Sequence, residues 1–544
     1  MISNLGVMLD CSRNSVMTVE SVKKFILYLE KMDYKILQLY TEDTYEIPEE
    51  PLFGHFRGRY SQEEIKEIDA FAKEHGIELQ PCIQTLAHLN QLFFWDKFAE
   101  IKDCGDILLA ENEKTYALID NMFKSISNSY TTKTVNIGMD EAHLLGAGKY
   151  FHQNGYKKRF DILIEHLKKV SEIAKKYNFQ LLMWSDMFFR LVNKGEYYPE
   201  DGEKCPEVPK EIRDKLPENV TLVYWNYYYN EENIYDDMID RHLDFGKPLW
   251  FAGGIWKWLG FHTGNICSYP KIASSIKSCN KKGVNNVLFT LWGDDGNESP
   301  VFAVLPALLY ASQCAKGNYN LDDIENKFFE IFNENYQDFL LFDMCRPDFA
   351  QRSYGGRSAG AKEFLYCDTF LGKFDSTVIG DEGEFFAEME LKLKKAKTRS
   401  KNFAYIFESY EKLCRLMKIK YTLGYRTRNA YKNGDKEELQ LIIKDFSKAI
   451  RYTQDFINYF RKMWFTDSKP HGFDVQDLRL GGVIQRLKAN QQRLIDYVNG
   501  KVVKIDELEE ALVNVLVGEK QKCIPSCNNF LKIATPNSLS LILQ

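Results

Sequence analysis

Eight short apolar runs, each followed by an amphipathic helical pattern, begin almost at the first residue and constrain this chain more than any other feature. The runs are 5–10 (LGVMLD), 35–40 (KILQLY), 77–83 (IELQPCI), 134–138 (TVNIG), 179–184 (FQLLMW), 219–225 (NVTLVYW), 248–253 (PLWFAG) and 285–291 (NNVLFTL). Helical periodicity occupies 18–32, 61–75, 112–128, 158–177, 231–244, 271–282 and 299–315. After the fifth run the pattern is weaker, and 208–216 supplies only a short helix. Ser61 followed by Glu64 has the spacing of a capping box, and Gly76 stands where a helix-ending glycine belongs. Eight strand-then-helix units in order imply a closed parallel (β/α)8 barrel of the α/β class, whose active residues lie at the C-terminal ends of the strands.

At 544 residues the chain exceeds one such barrel. From about residue 319 the strands vanish and charged helical patterns take over at 321–340, 385–398, 402–431, 436–463, 483–499 and 505–517. The expected organisation is a catalytic barrel over 1–318 and an all-α domain over 319–544. SYGGRSAGAK at 353–362 reads as a loop within that domain. WFTDSKPHGFDVQDLR at 464–479 interrupts two helices and reads as a surface loop. The alternative is a segment that reaches the barrel mouth of its own or a partner subunit, and the helical domain is where a homodimer would form.

A formal net charge of −6 without a dense Lys/Arg block excludes an electrostatic footprint for nucleic acid. No run of about 18 apolar residues marks a membrane span, and the N-terminus lacks the pattern of a secretory signal, so a cytoplasmic protein with no membrane partner is expected. Twelve scattered cysteines read as reduced, buried thiols. Neither the close pair Cys523/Cys527 nor His143, two residues past Glu141, has the further ligands that a metal needs. No metal or cofactor is expected.

The strand ends supply Asp10 and Arg13, Tyr40 and Asp43, His88, Asp140 and Glu141, Trp184 and Asp186, Trp225 to Tyr229, Trp256 and Trp258, and Trp292 with Asp294. Aromatic faces with carboxylates and an arginine suit a sugar pocket, because rings pack on the apolar side of a pyranose while charged groups bond its hydroxyls. Two adjacent carboxylates, Asp140 and Glu141, are unusual there, since neighbouring strand residues point in opposite directions unless the backbone turns.

Asn136-Ile137-Gly138-Met139-Asp140-Glu141 resembles, position for position, the signature of family 20 glycoside hydrolases: His or Asn, any residue, Gly, a small residue or Met, then Asp-Glu. The resemblance covers residues 1–318 and is to bacterial intracellular members without a small α/β domain ahead of the barrel. It implies an exo-β-N-acetylhexosaminidase acting on a terminal β-linked GlcNAc or GalNAc of a small or oligosaccharide substrate. The family departs from the two-carboxylate scheme of retaining glycosidases, because the 2-acetamido group of the substrate is the nucleophile. Glu141 is then the acid and base, and Asp140 orients the acetamido N–H and balances the oxazolinium charge.

By the same resemblance Arg13 holds the outer hydroxyls, and Asp43 and His88 connect to the glutamate. Trp184, Trp225 and Trp292 wall the acetamido pocket, and Trp256 stacks at the far side. Tyr227 or Tyr228 holds the acetamido carbonyl. Where many members carry Gly-Glu after the last tryptophan, this chain reads Gly293-Asp294-Asp295-Gly296-Asn297-Glu298, so the 4- and 6-hydroxyl contact falls to Asp294 or to Glu298. Two readings compete: a sugar-binding barrel without catalysis, and a retaining β-glycosidase whose nucleophile is Asp186 or Asp294.

Overall fold

The computed structural model describes residues 2–199, 204–258, 260–344 and 360–514, together with short strands at 534–535 and 538–539. Eight parallel strands close in chain order: β1 (Asn4–Asp10), β2 (Ile36–Thr41), β3 (Glu78–Ile83), β4 (Thr134–Asn136), β5 (Gln180–Trp184), β6 (Val220–Asn226), β7 (Leu249–Gly254) and β8 (Asn286–Leu291). β1 closes the ring against β8, from Asn4 opposite Asn286 to Leu9 opposite Leu291. A Cβ at Gly6 would lie 2.9 Å from both Ile36 and Leu288, so glycine lets β1 fit between its neighbours.

The larger barrel helices are α1 (Val19–Lys31), α2 (Gln62–Glu74), α3 (Glu113–Ser129), α4 (Arg159–Lys176), α5 (Glu232–Leu243), α6 (Asn265–Lys282) and α7 (Leu305–Ala315). Ser61 and Glu64 form the reciprocal capping box that starts α2. Among the described residues between β5 and β6, the helices are short, Asp186–Arg190 and Lys210–Arg213. Valine, leucine and isoleucine fill the strands and the inner faces of the helices in one continuous buried cluster.

Beyond the barrel come α8 (Leu321–Phe332), α9 (Glu382–Arg399), α10 (Ala404–Lys432), α11 (Lys436–Asp467) and α12 (Phe473–Val498). Residues 353–359 of the expected loop, the end of the 505–517 helix and the Cys523/Cys527 pair lie outside the described residues. Among the described residues the cysteines are free, and no helix is long and apolar enough to cross a membrane.

The 464–479 stretch differs from a surface loop. α11 runs to Asp467 and α12 starts at Phe473, so the break is confined to the turn that holds Pro470 and Gly472, the latter at φ +87°. That turn docks on the C-terminal face of the barrel. Lys469 donates its backbone N–H to Val16 O at 2.8 Å, and Asn14 Nδ2 donates to Gly472 O at 2.8 Å. Farther along α12, Gln476 Nε2 donates to Gly296 O at 3.0 Å.

A buried charge cluster joins the two regions. Glu298, past β8, meets Lys362 Nζ at 2.7 Å and Arg479 NH1 at 3.1 Å, with all three side chains within 2% of full burial. Removing the shared carboxylate takes away the buried anion that both cations meet. Glu298→Ala is therefore expected to lower unfolding stability by about 3–5 kcal/mol. A urea midpoint equal to that of the unsubstituted protein would show that the cluster contributes nothing net.

Candidate active site

The loops after the strands surround one pocket on the C-terminal face, with about 540 Å³ of empty space opening to solvent. Its walls are Arg13, His88, Asp140, Glu141, Trp184, Trp225, Tyr227, Tyr228, Trp258, Trp292 and Asp294. Asp140 and Glu141 both face it although they are consecutive. The reason lies in the backbone: Gly138, Met139 and Glu141 have φ of 71°, 69° and 52°, so the chain leaves β4 through a left-handed turn instead of continuing the pleat. Left-handed backbone at non-glycine residues is costly and persists where surrounding contacts over-determine it.

Gln84, just past β3, supplies such contacts. Its Nε2 donates to Asp140 Oδ1 at 2.8 Å, and its Oε1 accepts from Met139 N at 3.2 Å. A Cβ on Gly138 would stand 2.0 Å from Gln84 Oε1, so only glycine admits this clamp. Gly138→Ala is expected to cost about 1–3 kcal/mol of stability through strain alone and to lower kcat by displacing Asp140. Thermal melts and steady-state kinetics on the same preparation test this; full activity with an unchanged melt would remove the clamp from the account.

His88 Nε2 lies 3.2 Å from Asp140 Oδ2 and 3.8 Å from Glu141 Oε2. Burial disfavours the charged ring, but the Asp140 carboxylate outweighs it and pushes His88 up to about 10. Burial likewise works against ionised Asp140, yet His88 and the Gln84 amide hold it below the usual carboxylate range. Asp140 is therefore an anion at neutral pH. Glu141 is 40% exposed in its side chain and meets Arg190 NH2 at 3.3 Å. Asp186 accepts from Glu141 N at 3.0 Å and from Arg190 Nε at 2.8 Å. It is enclosed, and burial raises it to about 7.

At the outer end Arg13 is held by Asp10 Oδ2 and Glu42 Oε1, each at 3.3 Å, with its guanidinium 4.7 Å from the centres of the Tyr40 and Trp292 rings. Asp294 lines the pocket beside it, raised by burial to about 6. Trp225 and Tyr227 stack at 5.1 Å, and Tyr228, 40% exposed, forms part of the rim.

Residues 5–237 match the family model of the "Glycosyl hydrolase family 20, catalytic domain", and residues 337–525 match that of the "Glycoside Hydrolase 20C C-terminal domain". The chain belongs to glycoside hydrolase family 20. Among curated proteins it is similar to hexosaminidase D of Bos taurus, 25% identical over 180 residues, which are 30% of this chain and 50% of that protein. The Homo sapiens hexosaminidase D is 25% identical over 166 residues, 29% of this chain and 33% of that one. The chain thus spans half or less of the length of these relatives.

Among solved structures, the Vibrio harveyi exo-β-N-acetylglucosaminidase in complex with N-acetylglucosamine has a TM-score of 0.47 at 14% identity, covering 62% of this chain and 58% of that chain. The Bacteroides fragilis β-N-acetylhexosaminidase has a TM-score of 0.46 at 17% identity, covering 60% and 69%.

Two placements in this family 20 chain differ from the residue-by-residue expectation, and a third narrows it. Asp43 is buried but turned to Arg57, whose Nε lies 3.3 Å from its Oδ1. Among the described residues the carboxylates within 4.0 Å of His88 are instead Asp140, Glu141 and Asp106, the last of which also accepts from His88 N at 3.0 Å. Trp256 stands behind the wall, donating its indole N–H to Tyr227 O at 2.9 Å and stacking at 4.2 Å on Trp258, which is the ring that faces the pocket. Of the two acids after Trp292, Asp294 lines the pocket, while Glu298 is committed to Lys362 and Arg479.

Gln84, Arg190 and Glu42 also belong to the site without being expected from the sequence. Gln84 lies one residue beyond the third strand, where the barrel rule points. Asp186 and Arg190 have the i, i+4 spacing of a helical ion pair.

Proposed function

We propose that this chain is an exo-β-N-acetylhexosaminidase that removes a terminal β-linked GlcNAc or GalNAc with retention, using the substrate's acetamido oxygen as nucleophile. The observation that carries the reading is that Asp140 and Glu141, adjacent in the chain, line one aromatic-walled pocket in different surroundings. Asp140 is enclosed and charged, suited to accept the acetamido N–H and to balance positive charge growing on the ring. Glu141 is more open, suited to protonate the leaving oxygen and then to deprotonate water.

Trp184, Trp225 and Trp292 enclose the acetamido methyl, and Tyr227 and Tyr228 offer the hydroxyls for its carbonyl. Arg13 and Asp294 bond the outer hydroxyls and close that end, which makes the cleavage exo. Asp186, one of the two rival nucleophiles, does not line the pocket and has one carboxylate oxygen occupied by Glu141 N and Arg190. It positions Glu141.

The test is hydrolysis of matched aryl β-glycosides of GlcNAc, GalNAc and glucose. Cleavage of the acetamido sugars alone supports substrate assistance, and the GlcNAc/GalNAc ratio reports specificity. Equal cleavage of the glucoside would move the assignment to an enzyme nucleophile, and cleavage of none to a binding protein.

The His88–Asp140 pair also has a pH signature. His88 rises from 6.5 to about 10 on folding, so its proton stabilises the fold fully below pH 6.5, and that contribution is lost as pH climbs to about 10. The melting temperature is expected to fall more steeply across that window in the unsubstituted protein than in His88→Gln. Parallel profiles would show that the pair does not stabilise the fold.

A further inference from the structure

A second cleft adjoins the sugar pocket on the Glu141 side, and nothing in the proposed chemistry uses it. It holds about 1270 Å³ of empty space, and its walls include His143, Tyr156, Lys158, Arg159, Arg190 and Lys194. Arg190 joins the two spaces, since the same guanidinium that meets Glu141 at 3.3 Å lines the cleft. A general acid donates its proton to the leaving oxygen, so whatever follows the terminal sugar must leave past Glu141. The cleft lies on that path.

Its chemistry is one-sided. Lys158, Arg159 and Lys194 are exposed, and among the described residues none has an acidic partner within 4.0 Å, whereas the adjacent Lys157 is turned away to Glu111. In a chain of net charge −6, three cations without an acidic partner gather around one cleft whose lining holds no carboxylate. α4 begins here with no side-chain cap on its first amides, which adds the positive end of an 18-residue helix to the same wall. Tyr156, 83% exposed, offers an aromatic face beside these charges, and Phe160 lines the cleft next to it.

We infer that this cleft is a leaving-group subsite for an acidic aglycone, a sugar that carries a carboxylate or phosphate and follows the terminal β-linked N-acetylhexosamine. The ring rests on Tyr156, and its anion meets Lys158, Arg159 and Lys194. This rests on the hexosaminidase reading and names the substrate class that the same site favours.

The experiment compares kcat/KM for β-GlcNAc linked to glucuronate, to glucose 6-phosphate and to glucose, with an aryl β-GlcNAc as reference, in the unsubstituted protein and in the triple variant Lys158→Ala/Arg159→Ala/Lys194→Ala. The expected result is a preference of roughly tenfold for an acidic disaccharide over the neutral one, the size that a few solvent-exposed ion pairs supply together. That preference shrinks with added salt and collapses in the triple variant. Preference for the glucuronate arm alone assigns a carboxylate, for the phosphate arm alone a phosphate, and for both a site that reads charge. Equal kcat/KM for all three disaccharides, or a preference that survives the triple variant, overturns the proposal. Failure to cleave the aryl reference overturns the hexosaminidase reading itself and takes this subsite with it.

Discussion

Glu141→Gln is expected to lower kcat on β-linked disaccharides by roughly a hundredfold to ten-thousandfold, the range that a positioned proton donor contributes. The amide keeps the shape of the side chain and can still reach Arg190, 3.3 Å away, so the fold and the pocket survive. What is lost is the proton for a poor leaving group. An aryl glycoside with an acidic phenol needs little protonation as its bond breaks, so its first step should fall far less than that of a disaccharide. The diagnostic quantity is therefore the ratio of the two losses, measured on one preparation whose melting temperature is checked. A variant as active as the unsubstituted protein on a disaccharide would remove Glu141 from the acid role.

Asp140→Asn is expected to lower kcat/KM for acetamido sugars by roughly a hundredfold to a thousandfold, the scale of removing one preorganised electrostatic partner of a charged transition state. The change is isosteric, and its Oδ1 can still accept from Gln84. Charge is what disappears. That charge has a second reporter, because Asp140 is what pushes His88 up to about 10. In the variant the His88 ring should titrate well below that value, which NMR of the imidazole follows directly. Loss of activity with an unmoved His88 titration would show that the two groups are not coupled, and full activity would return Asp140 to a structural role.

The barrel was readable because strand and helix patterning are local. Each of the eight apolar runs coincides with an observed strand to within one or two residues at either end, because a buried parallel strand must be apolar on both faces whatever it packs against. The aromatic and acidic strand ends were readable for a related reason: in this fold, position along a strand already says which face of the molecule a residue reaches. The sequence stretch 464–479 was harder. Pro470 and Gly472 announce a break, but the length of the break depends on contacts to Val16 and Asn14, more than 450 residues away.

The residues misassigned or passed over share one property. Asp43 and Trp256 sit at strand ends as read, and their side chains still answer to partners from elsewhere, Arg57 in one case and Tyr227 with Trp258 in the other. Glu298 resembles a sugar contact until Lys362 and Arg479 arrive from the helical region and bury it. Apolar periodicity and the Asp-Glu signature thus carry the barrel and the identity of its acids, since both depend on neighbours a few residues apart. The directions in which those acids point, and which cations and amides hold them, come only with the closed ring. A left-handed turn at Gly138 to Glu141 is stable only once Gln84 from just past the preceding strand and Arg190 from the short helix after β5 are there to hold it.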